Sequence, residues 1–273
     1  MIYPVLSATA QLQIKNIGAA DLVIGLPSYN NPQRTAQVAQ IALQGAQTYF
    51  PDHRTVLINA DAGRSRQTRQ AVLALAHGNG HSPNIVSGRY EGQLGQGSAT
   101  AALIDAALAL DAAAIVILDS ATDSISPEWV AGLAHLVLEN KADLVLPRYR
   151  QWLLPEAQLN DLVAYPLFRA LWGKSLRHVV AADFAISPAL ATTMLDEDVW
   201  GTSAATFGLM PWLATFGLTH NWRLAQSALS EKCLGCNTGQ NDVRTRTPVL
   251  ETARFRQQFC DVVAKIFRLM YPY

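Results

Sequence analysis

Short, unbroken apolar runs alternate with longer stretches of helical periodicity through the first half of the chain. The runs occupy residues 22–26, 55–58, 84–86, 115–118 and 143–146, and none alternates apolar with polar positions. Strands that are covered on both faces are typical of this pattern. The sequence therefore predicts five buried strands, while the first 20 residues carry no clear signal.

Helices are predicted between these strands, over residues 32–50, 65–76, 98–110 and 127–140. Two of them open with a capping residue followed by proline, at Asn31-Pro32 and Ser126-Pro127, which is a helix-start signal. The regular alternation of strand and helix predicts an α/β fold with a parallel sheet and helices on both of its faces.

The second half is more mixed. Its pattern predicts helices over 160–172, 189–195 and 204–216, strands over 183–187 and 222–229, a loop over 234–248 and an amphipathic helix over 251–270. We divide the chain into an N-terminal segment (1–20), a main α/β domain (21–237) and a C-terminal loop with its helix (238–273).

Composition narrows the classes of function. Half of the 273 residues are apolar and 15% are charged, which excludes a disordered chain. The 21 basic residues equal the 21 acidic ones, and this neutrality argues against nucleic-acid binding. It favours association with a second copy or a protein partner, for which the apolar C-terminal helix is the candidate surface.

No apolar run approaches the length of a membrane span, and the first residues do not resemble a secretion signal. The chain has three cysteines, Cys233, Cys236 and Cys260. This small, odd number does not suggest a disulfide framework, so we expect a reducing, cytoplasmic location. Cys233-x-x-Cys236 is also half of a zinc-site pattern, which His220 or Cys260 would have to complete.

Polar residues follow three of the predicted strands, where an open parallel sheet binds its ligands. These residues are Pro27, Ser28, Tyr29, Asn30 and Asn31 after the first strand, Asp61 after the second, and Asp119, Ser120 and Asp123 after the fourth. Ordinary turn and cap chemistry explains any one of these groups. Their coincidence at one edge favours a binding site.

A glycine-rich stretch, residues 92–98, opens the helix at 98–110. It matches neither the dinucleotide-binding fingerprint nor the P-loop. Its backbone amides suit a phosphate, and a flexible loop is an equal alternative.

Several segments together resemble a known family. They are DLVIGLPSYNN (21–31), INADAG (58–63), GQGSA (95–99), VILDSATDSISPEW (116–129), DLVLPRY (143–149) and YPLFRALWG (165–173). Their order and spacing resemble GT-A glycosyltransferases, specifically the family 2-like bacterial enzymes of the glucosyl-3-phosphoglycerate synthase and mannosylglycerate synthase type. The resemblance covers residues 21–232 and implies a GT-A fold, a Rossmann-like, mostly parallel sheet flanked by helices.

The resemblance also implies an activity, the transfer of a sugar from a nucleoside-diphosphate sugar to a small acceptor. It implies that Pro27, Ser28, Tyr29, Asn30, Asn31 and Asp61 hold the base and ribose, and that Gln96 and Gly97 lie near the diphosphate. Asp119 and Ser120 match the start of the family's Asp-x-Asp motif, so Asp119 would hold a divalent metal, Mg²⁺ or Mn²⁺. Asp183 is the candidate catalytic carboxylate.

The chain departs from the family pattern at several of its functional positions. Ala121 replaces the second aspartate of the metal motif, Met210 replaces an aspartate, Leu234 replaces a metal-binding histidine, and Gln96 replaces a lysine. Asp123 is the one nearby carboxylate that could substitute, at a different offset.

Two hypotheses therefore remain open. One is a glycosyltransferase with an unusual or absent metal site; the other is a degenerate relative, a pseudoenzyme that senses a nucleotide sugar or serves a partner subunit. Arg148 and Arg150 are candidates for binding an anionic acceptor, with solvated arginines as the alternative. Trp152 is a candidate for stacking on a sugar, and His178 and His220 are expected to be structural or surface histidines.

Overall fold

A single mixed sheet organises the molecule. The computed structural model describes residues 3–77, 84–153, 155–233 and 248–270. Within these residues the sheet has seven strands, and their bounds are β1 (Leu22–Ser28), β2 (Thr55–Asp61), β3 (Asn84–Arg89), β4 (Ala114–Ile117), β5 (Leu144–Tyr149), β6 (Phe184–Ile186) and β7 (Leu224–Leu229).

The strand order, β3-β2-β1-β4-β6-β5-β7, determines where a ligand can enter. β3, β2, β1 and β4 are parallel, with Leu22 opposite both Thr55 and Ala114. β6 is antiparallel to both of its neighbours, and β5 pairs in parallel with β7. Because the order reverses between β1 and β4, the sheet opens a crevice at the carboxyl ends of these two strands.

Helices cover both faces of the sheet. Those described are α1 (Ala8–Ile17), α2 (Pro32–Tyr49), α3 (Gln67–Leu73), α4 (Gln96–Leu108), α5 (Pro127–Leu138), α6 (Pro155–Leu159), α7 (Tyr165–Trp172), α8 (Pro188–Asp196), α9 (Leu209–Thr219) and α10 (Pro248–Met270). The remaining described elements are short 3₁₀ turns at Ala74–His77 and Ser203–Ala205 and a π turn at Asn160–Ala164. Among the described helices, none is long and apolar enough to cross a membrane.

The core has two layers, one on each face of the sheet. Adjacent strand residues enter opposite layers: Val23 packs into one hydrophobic cluster and Ile24 into the other, since successive side chains of a strand point to opposite faces. The first cluster includes Leu103 of α4, and the second includes Trp129 of α5. This double burial explains why β1, β2, β4 and β5 are mostly apolar in the sequence. The prediction of a buried strand was wrong for β3, because β3 lies at the edge of the sheet and is partly exposed.

The first and last described helices, α1 and α10, both contribute to this core. In α1, which the sequence did not signal, Ala10 and Ile14 are buried, and Ala10 packs so closely on β3 that a Cβ at Gly88 would lie 2.7 Å from it. In α10, Val262 and Ile266 are buried in the first cluster. The apolar face that suggested an external partner therefore covers the chain's own core, and a partner bound through α10 stays a prediction.

Candidate functional site

A chain of hydrogen bonds joins the carboxyl ends of β1, β2 and β3. Ser87 Oγ donates to Asn59 Oδ1 (2.8 Å), and Asn59 Nδ2 donates to Ser28 Oγ (2.7 Å) and to the carbonyl oxygen of Leu26 (2.9 Å). Ser28 Oγ in turn donates to Asp61 Oδ1 (3.3 Å). These bonds fix the ends of three strands relative to one another.

Asp61 ends this chain and is fully buried. Its carboxylate accepts the Gly63 amide N–H (3.0 Å) and Arg69 Nη1 (2.8 Å). Burial raises the pKa of the Asp61 carboxyl, and the bonds from Gly63 and Arg69 offset this only in part. Asp61, which was expected to contact a ribose, is therefore buried below the surface of the crevice and holds neighbouring residues in place.

The remaining residues predicted after β1 lie at the surface of the crevice. Tyr29 is 65% exposed, Asn30 adopts a left-handed conformation (φ 47°), and the Asn31 carbonyl accepts the Thr35 amide as α2 begins. Pro27, inside β1, is linked to the loop after β4, because Ser120 Oγ donates to its carbonyl oxygen. The structure thus brings Pro27, Tyr29, Asn30 and Asn31 together at one rim.

Asp119 and Asp183 meet directly beyond β4. The Asp119 amide donates to Asp183 Oδ1 (2.7 Å), and Asp119 Oδ1 accepts the Ala121 amide (2.9 Å). The Asp119 side chain is partly exposed to the crevice, whereas Asp183 is completely buried. Asp183, the candidate catalytic carboxylate, holds the backbone of Asp119 and does not reach the surface of the site.

The side chain of Lys232 lies between the two carboxylates. Its Nζ is 3.0 Å from Asp119 Oδ2 and also contacts Asp183 Oδ2, and the side chain is 1% exposed. Burial lowers the pKa of Lys232, but the charges of Asp119 and Asp183 outweigh it and hold that pKa above its ordinary value. Tyr149 donates its hydroxyl hydrogen to Asp183, and burial keeps its pKa well above normal. The ammonium and the phenol therefore both stay protonated.

The continuation of β5 and β7 places this lysine. Past the ends of these strands the Lys232 amide donates to the Gln151 carbonyl (2.7 Å), and the Leu153 amide donates to the Lys232 carbonyl (2.8 Å). His178 accepts the Tyr149 amide at Nδ1 (3.0 Å) and stacks on its ring, which confirms a structural histidine there.

A cleft with a cavity volume of about 70 Å³, partly open to solvent, lies beside the Lys232 ammonium. Its described lining is Gln96, Asp119, Trp152, Glu156, Leu159, Val180, Ala182, Thr206, Phe207, Leu209, Met210, Lys232, Gln258 and Val262. Gln258 Nε2 donates to Glu156 Oε1 (3.0 Å), which joins α10 to α6 across the wall. The buried Trp152 Nε1–H finds no acceptor among the described residues.

The glycine-rich helix start has a structural explanation. A Cβ at Gly97 would lie 1.7 Å from the Ala204 carbonyl oxygen, so glycine permits the close contact of α4 with Ser203–Ala205. Gly97 is buried in this contact, while Gln96 next to it faces the cleft.

Other sequence candidates lie away from the cleft. Arg148 and Arg150 are exposed and do not line it, and Arg150 pairs with Glu231 at 3.3 Å. Asp123 is held by Arg34 through two hydrogen bonds, the longer of 3.1 Å. The proposed roles of these residues stay predictions. Because Arg150 already pairs with Glu231, it is less suited to bind an anionic acceptor.

Sequence reasoning missed most of the residues that pair with the carboxylates. Arg34 and Arg69 lie in helices and belong to no local sequence motif. Glu156 and Gln258 form a hydrogen bond across 102 residues of sequence, which no local pattern indicates. Lys232 lies within the range of the family resemblance (21–232), but the sequence did not single it out and did not reveal its two partners.

The cysteines differ from the expectation of reduced thiols. Cys233 is disulfide-bonded and so is not available as a zinc ligand, Cys260 is a free, exposed thiol, and Cys236 lies outside the described residues.

A divalent metal does not fit the donor set in the part of the chain that the structure describes. No group of three or more His, Cys, Asp or Glu residues there is arranged to hold a metal ion. Asp119, the predicted ligand, already contacts the Lys232 ammonium, and the side chain at Ala121 offers no oxygen. Leu234 lies outside the described residues.

Comparison with known proteins identifies the fold. No family model and no curated protein matches the sequence. Among solved structures, glucosyl-3-phosphoglycerate synthase from Mycobacterium tuberculosis with Mn²⁺, UDP and glucosyl-3-phosphoglycerate matches 94% of this chain and 83% of that one, with TM-score 0.63 and 19% identity.

Two further structures of that synthase agree. The complex with Mn²⁺, UDP-glucose and phosphoglyceric acid matches 94% of this chain and 84% of the other (TM-score 0.62, 17% identity). The complex with Mg²⁺ and UDP matches 96% and 84% (TM-score 0.60, 18% identity). The chain has the GT-A fold that the sequence predicted.

Proposed function

We propose that the chain transfers a sugar from a nucleoside-diphosphate sugar to a small acceptor. The observation that carries this proposal is the crevice between β1 and β4, where the predicted donor residues converge beside the cleft. The reversal of strand order creates such a crevice, and it is where open α/β sheets bind ligands. The likeness to a synthase crystallised with UDP-glucose supports a nucleotide sugar as the ligand.

The donor is assigned to the rim and the floor of this crevice. Tyr29, Asn30 and Asn31 would contact the base and ribose, with Asp61 supporting the floor through Ser28. The sugar would extend past Asp119 into the cleft, where the Gln96 side chain can hydrogen-bond its hydroxyl groups and the Trp152 side chain lines the wall.

The acceptor is assigned to the far wall. Apart from Lys232, which two carboxylates already engage, no described lining residue is a cation, and Glu156 adds a negative charge. Apolar side chains, including Leu209, Met210 and Val262, form much of the remaining surface. This surface suits an uncharged hydroxyl compound with an apolar part better than a phosphate-bearing acid.

The transfer itself exchanges two bonds at the anomeric carbon. The bond to the diphosphate oxygen breaks and its electron pair goes to the diphosphate, while the acceptor oxygen bonds the anomeric carbon. The proton of the acceptor hydroxyl is taken up by the released diphosphate. The chain's part is to hold both substrates in one orientation and to exclude water from the cleft.

The comparisons give no support to a degenerate sensor or partner subunit, and transfer is therefore the function put forward. A cytoplasmic location and the division of the chain at residues 20 and 237 stay predictions.

Thermal unfolding with UDP, GDP and ADP, and with their common sugars, tests the donor assignment. We expect one nucleotide to raise Tm in the wild type and much less in Asn30→Ala, with exposed Asn221→Ala as the control variant. Release of free nucleotide from the matching sugar donor, with a panel of polyols and alkyl alcohols as acceptors, then tests transfer. If no nucleotide raises Tm, the proposal is wrong.

A further inference from the structure

The described carboxylates at the ends of β2 and β4, and Asp183 just before β6, are each paired with a cation of the chain itself. Asp61 pairs with Arg69 (2.8 Å), and Asp123 pairs with Arg34. Asp119 and Asp183 share the ammonium of Lys232. Among the described residues, the protein's own cations therefore neutralise the carboxylates at the edge where we propose that the donor binds.

Lys232 is the decisive member of these pairs. Its ammonium lies between two carboxylate oxygens from different parts of the chain, which is the kind of oxygen environment that hard divalent cations prefer. The lysine side chain is 1% exposed, and its ammonium contacts one oxygen of each carboxylate. The ring of Tyr149, 5.5 Å from Nζ, closes one side of the ammonium.

A divalent cation could bind Asp119 and Asp183 only by displacing this ammonium. Displacement would leave a buried positive charge beside the metal and without its partners, which is strongly unfavourable. While the ammonium stays in place it occupies Asp183 Oδ2 together with the Tyr149 hydroxyl, and Asp183 Oδ1 accepts the Asp119 amide, so Asp119 alone is left to face a metal. One monodentate carboxylate is a poor site for Mg²⁺ or Mn²⁺.

We propose that the ammonium of Lys232 takes the place of a divalent cation between Asp119 and Asp183, and that the protein binds its nucleoside diphosphate without a metal. The inference rests on the proposed function for the identity of the ligand. The claim that Lys232 holds the cation position stands on the geometry alone.

Titration of Mn²⁺ into metal-free protein, with free Mn²⁺ followed by its EPR signal, tests the cation claim without any nucleotide. We expect the wild type to leave the signal unchanged. Lys232→Ala frees both carboxylates and should reduce the signal, while Lys174→Ala, at an exposed lysine, should behave as the wild type. Specific binding of Mn²⁺ by the wild type, or a folded Lys232→Ala variant that binds none, overturns the proposal. If Lys232→Ala fails to fold, the wild-type titration still decides.

Calorimetric titration with the stabilising nucleotide, in EDTA and again in Mn²⁺, tests the second part. We expect the two Kd values to agree within about twofold. Binding that is tenfold or more tighter with Mn²⁺ refutes metal independence and leaves the donor assignment intact. No binding of UDP, GDP or ADP under either condition refutes the proposed function instead, and the EPR result still decides the role of Lys232.

Discussion

The buried group of Asp183, Lys232, Tyr149 and Asp119 makes a strong prediction for the variant Asp183→Asn. The substitution keeps the shape of the side chain and removes its charge. Lys232 then keeps only the partly exposed Asp119 as a partner, and an amide hydrogen faces either the ammonium or the Tyr149 hydroxyl. An uncompensated buried charge of this kind costs about 3–5 kcal/mol.

The magnitude converts into a measurable shift. At about 2–4 °C per kcal/mol for a chain of this size, a loss of about 3 kcal/mol lowers Tm by roughly 6–12 °C. Urea unfolding followed by tryptophan fluorescence gives the free energy directly, and an unchanged m-value confirms that the same surface is exposed. The exposed Asp52→Asn is the matched control and should stay within about 0.5 kcal/mol of the wild type.

A double variant separates the charge from the packing. In Asp183→Asn combined with Lys232→Met, no ammonium remains to be compensated, so the loss should be smaller than the sum of the two single losses by more than about 1 kcal/mol. A single-variant loss below about 1 kcal/mol, or strict additivity, would refute the view that these two charges depend on each other.

Three further predictions concern neighbouring parts of the structure. Gly97→Ala should cost about 1–3 kcal/mol in urea unfolding because its Cβ meets the Ala204 carbonyl, while Gly201→Ala, with open space around it, should be neutral; equal effects would contradict the contact. Arg69→Met should cost about 3–5 kcal/mol by leaving the buried charge of Asp61 unpaired, and adding Asp61→Asn should restore part of that loss. Burial lowers the pKa of Lys265 to about 8. As the pH rises, the folded state therefore loses this proton before the unfolded state does, and the free energy of unfolding of the wild type should increase between about pH 8 and about pH 10.4. Lys265→Met should remove that rise and be more stable than the wild type at pH 7, and parallel pH curves would show that the lysine is not buried in solution.

The strands and most helices could be predicted because each depends on local pattern. The runs at the starts of β1, β2 and β4 are mostly apolar since both faces of these strands are covered, and the prolines that open α2 and α5 mark their first turns. Helix α1 gave no signal because two residues, Ala10 and Ile14, carry its burial.

The site was predictable only where its residues follow strands. Asp61, Asp119 and the segment 27–31 stand at strand ends, so topology alone brings them together. Whether such a residue faces the ligand or lies beneath it depends on partners distant in sequence. Arg69 covers Asp61, while Lys232 and Tyr149 cover Asp183. These three partners come from three different parts of the chain.

Hydrogen–deuterium exchange with and without a saturating nucleoside diphosphate, starting with UDP, tests the central claim most directly. If the donor binds between β1 and β4, amides in residues 28–31 and 119–123 should gain protection together, in EDTA as well as in Mn²⁺. Exposed amides of α7, away from the crevice, should exchange unchanged. Protection that falls elsewhere, or none at this edge for any nucleoside diphosphate, would contradict the account.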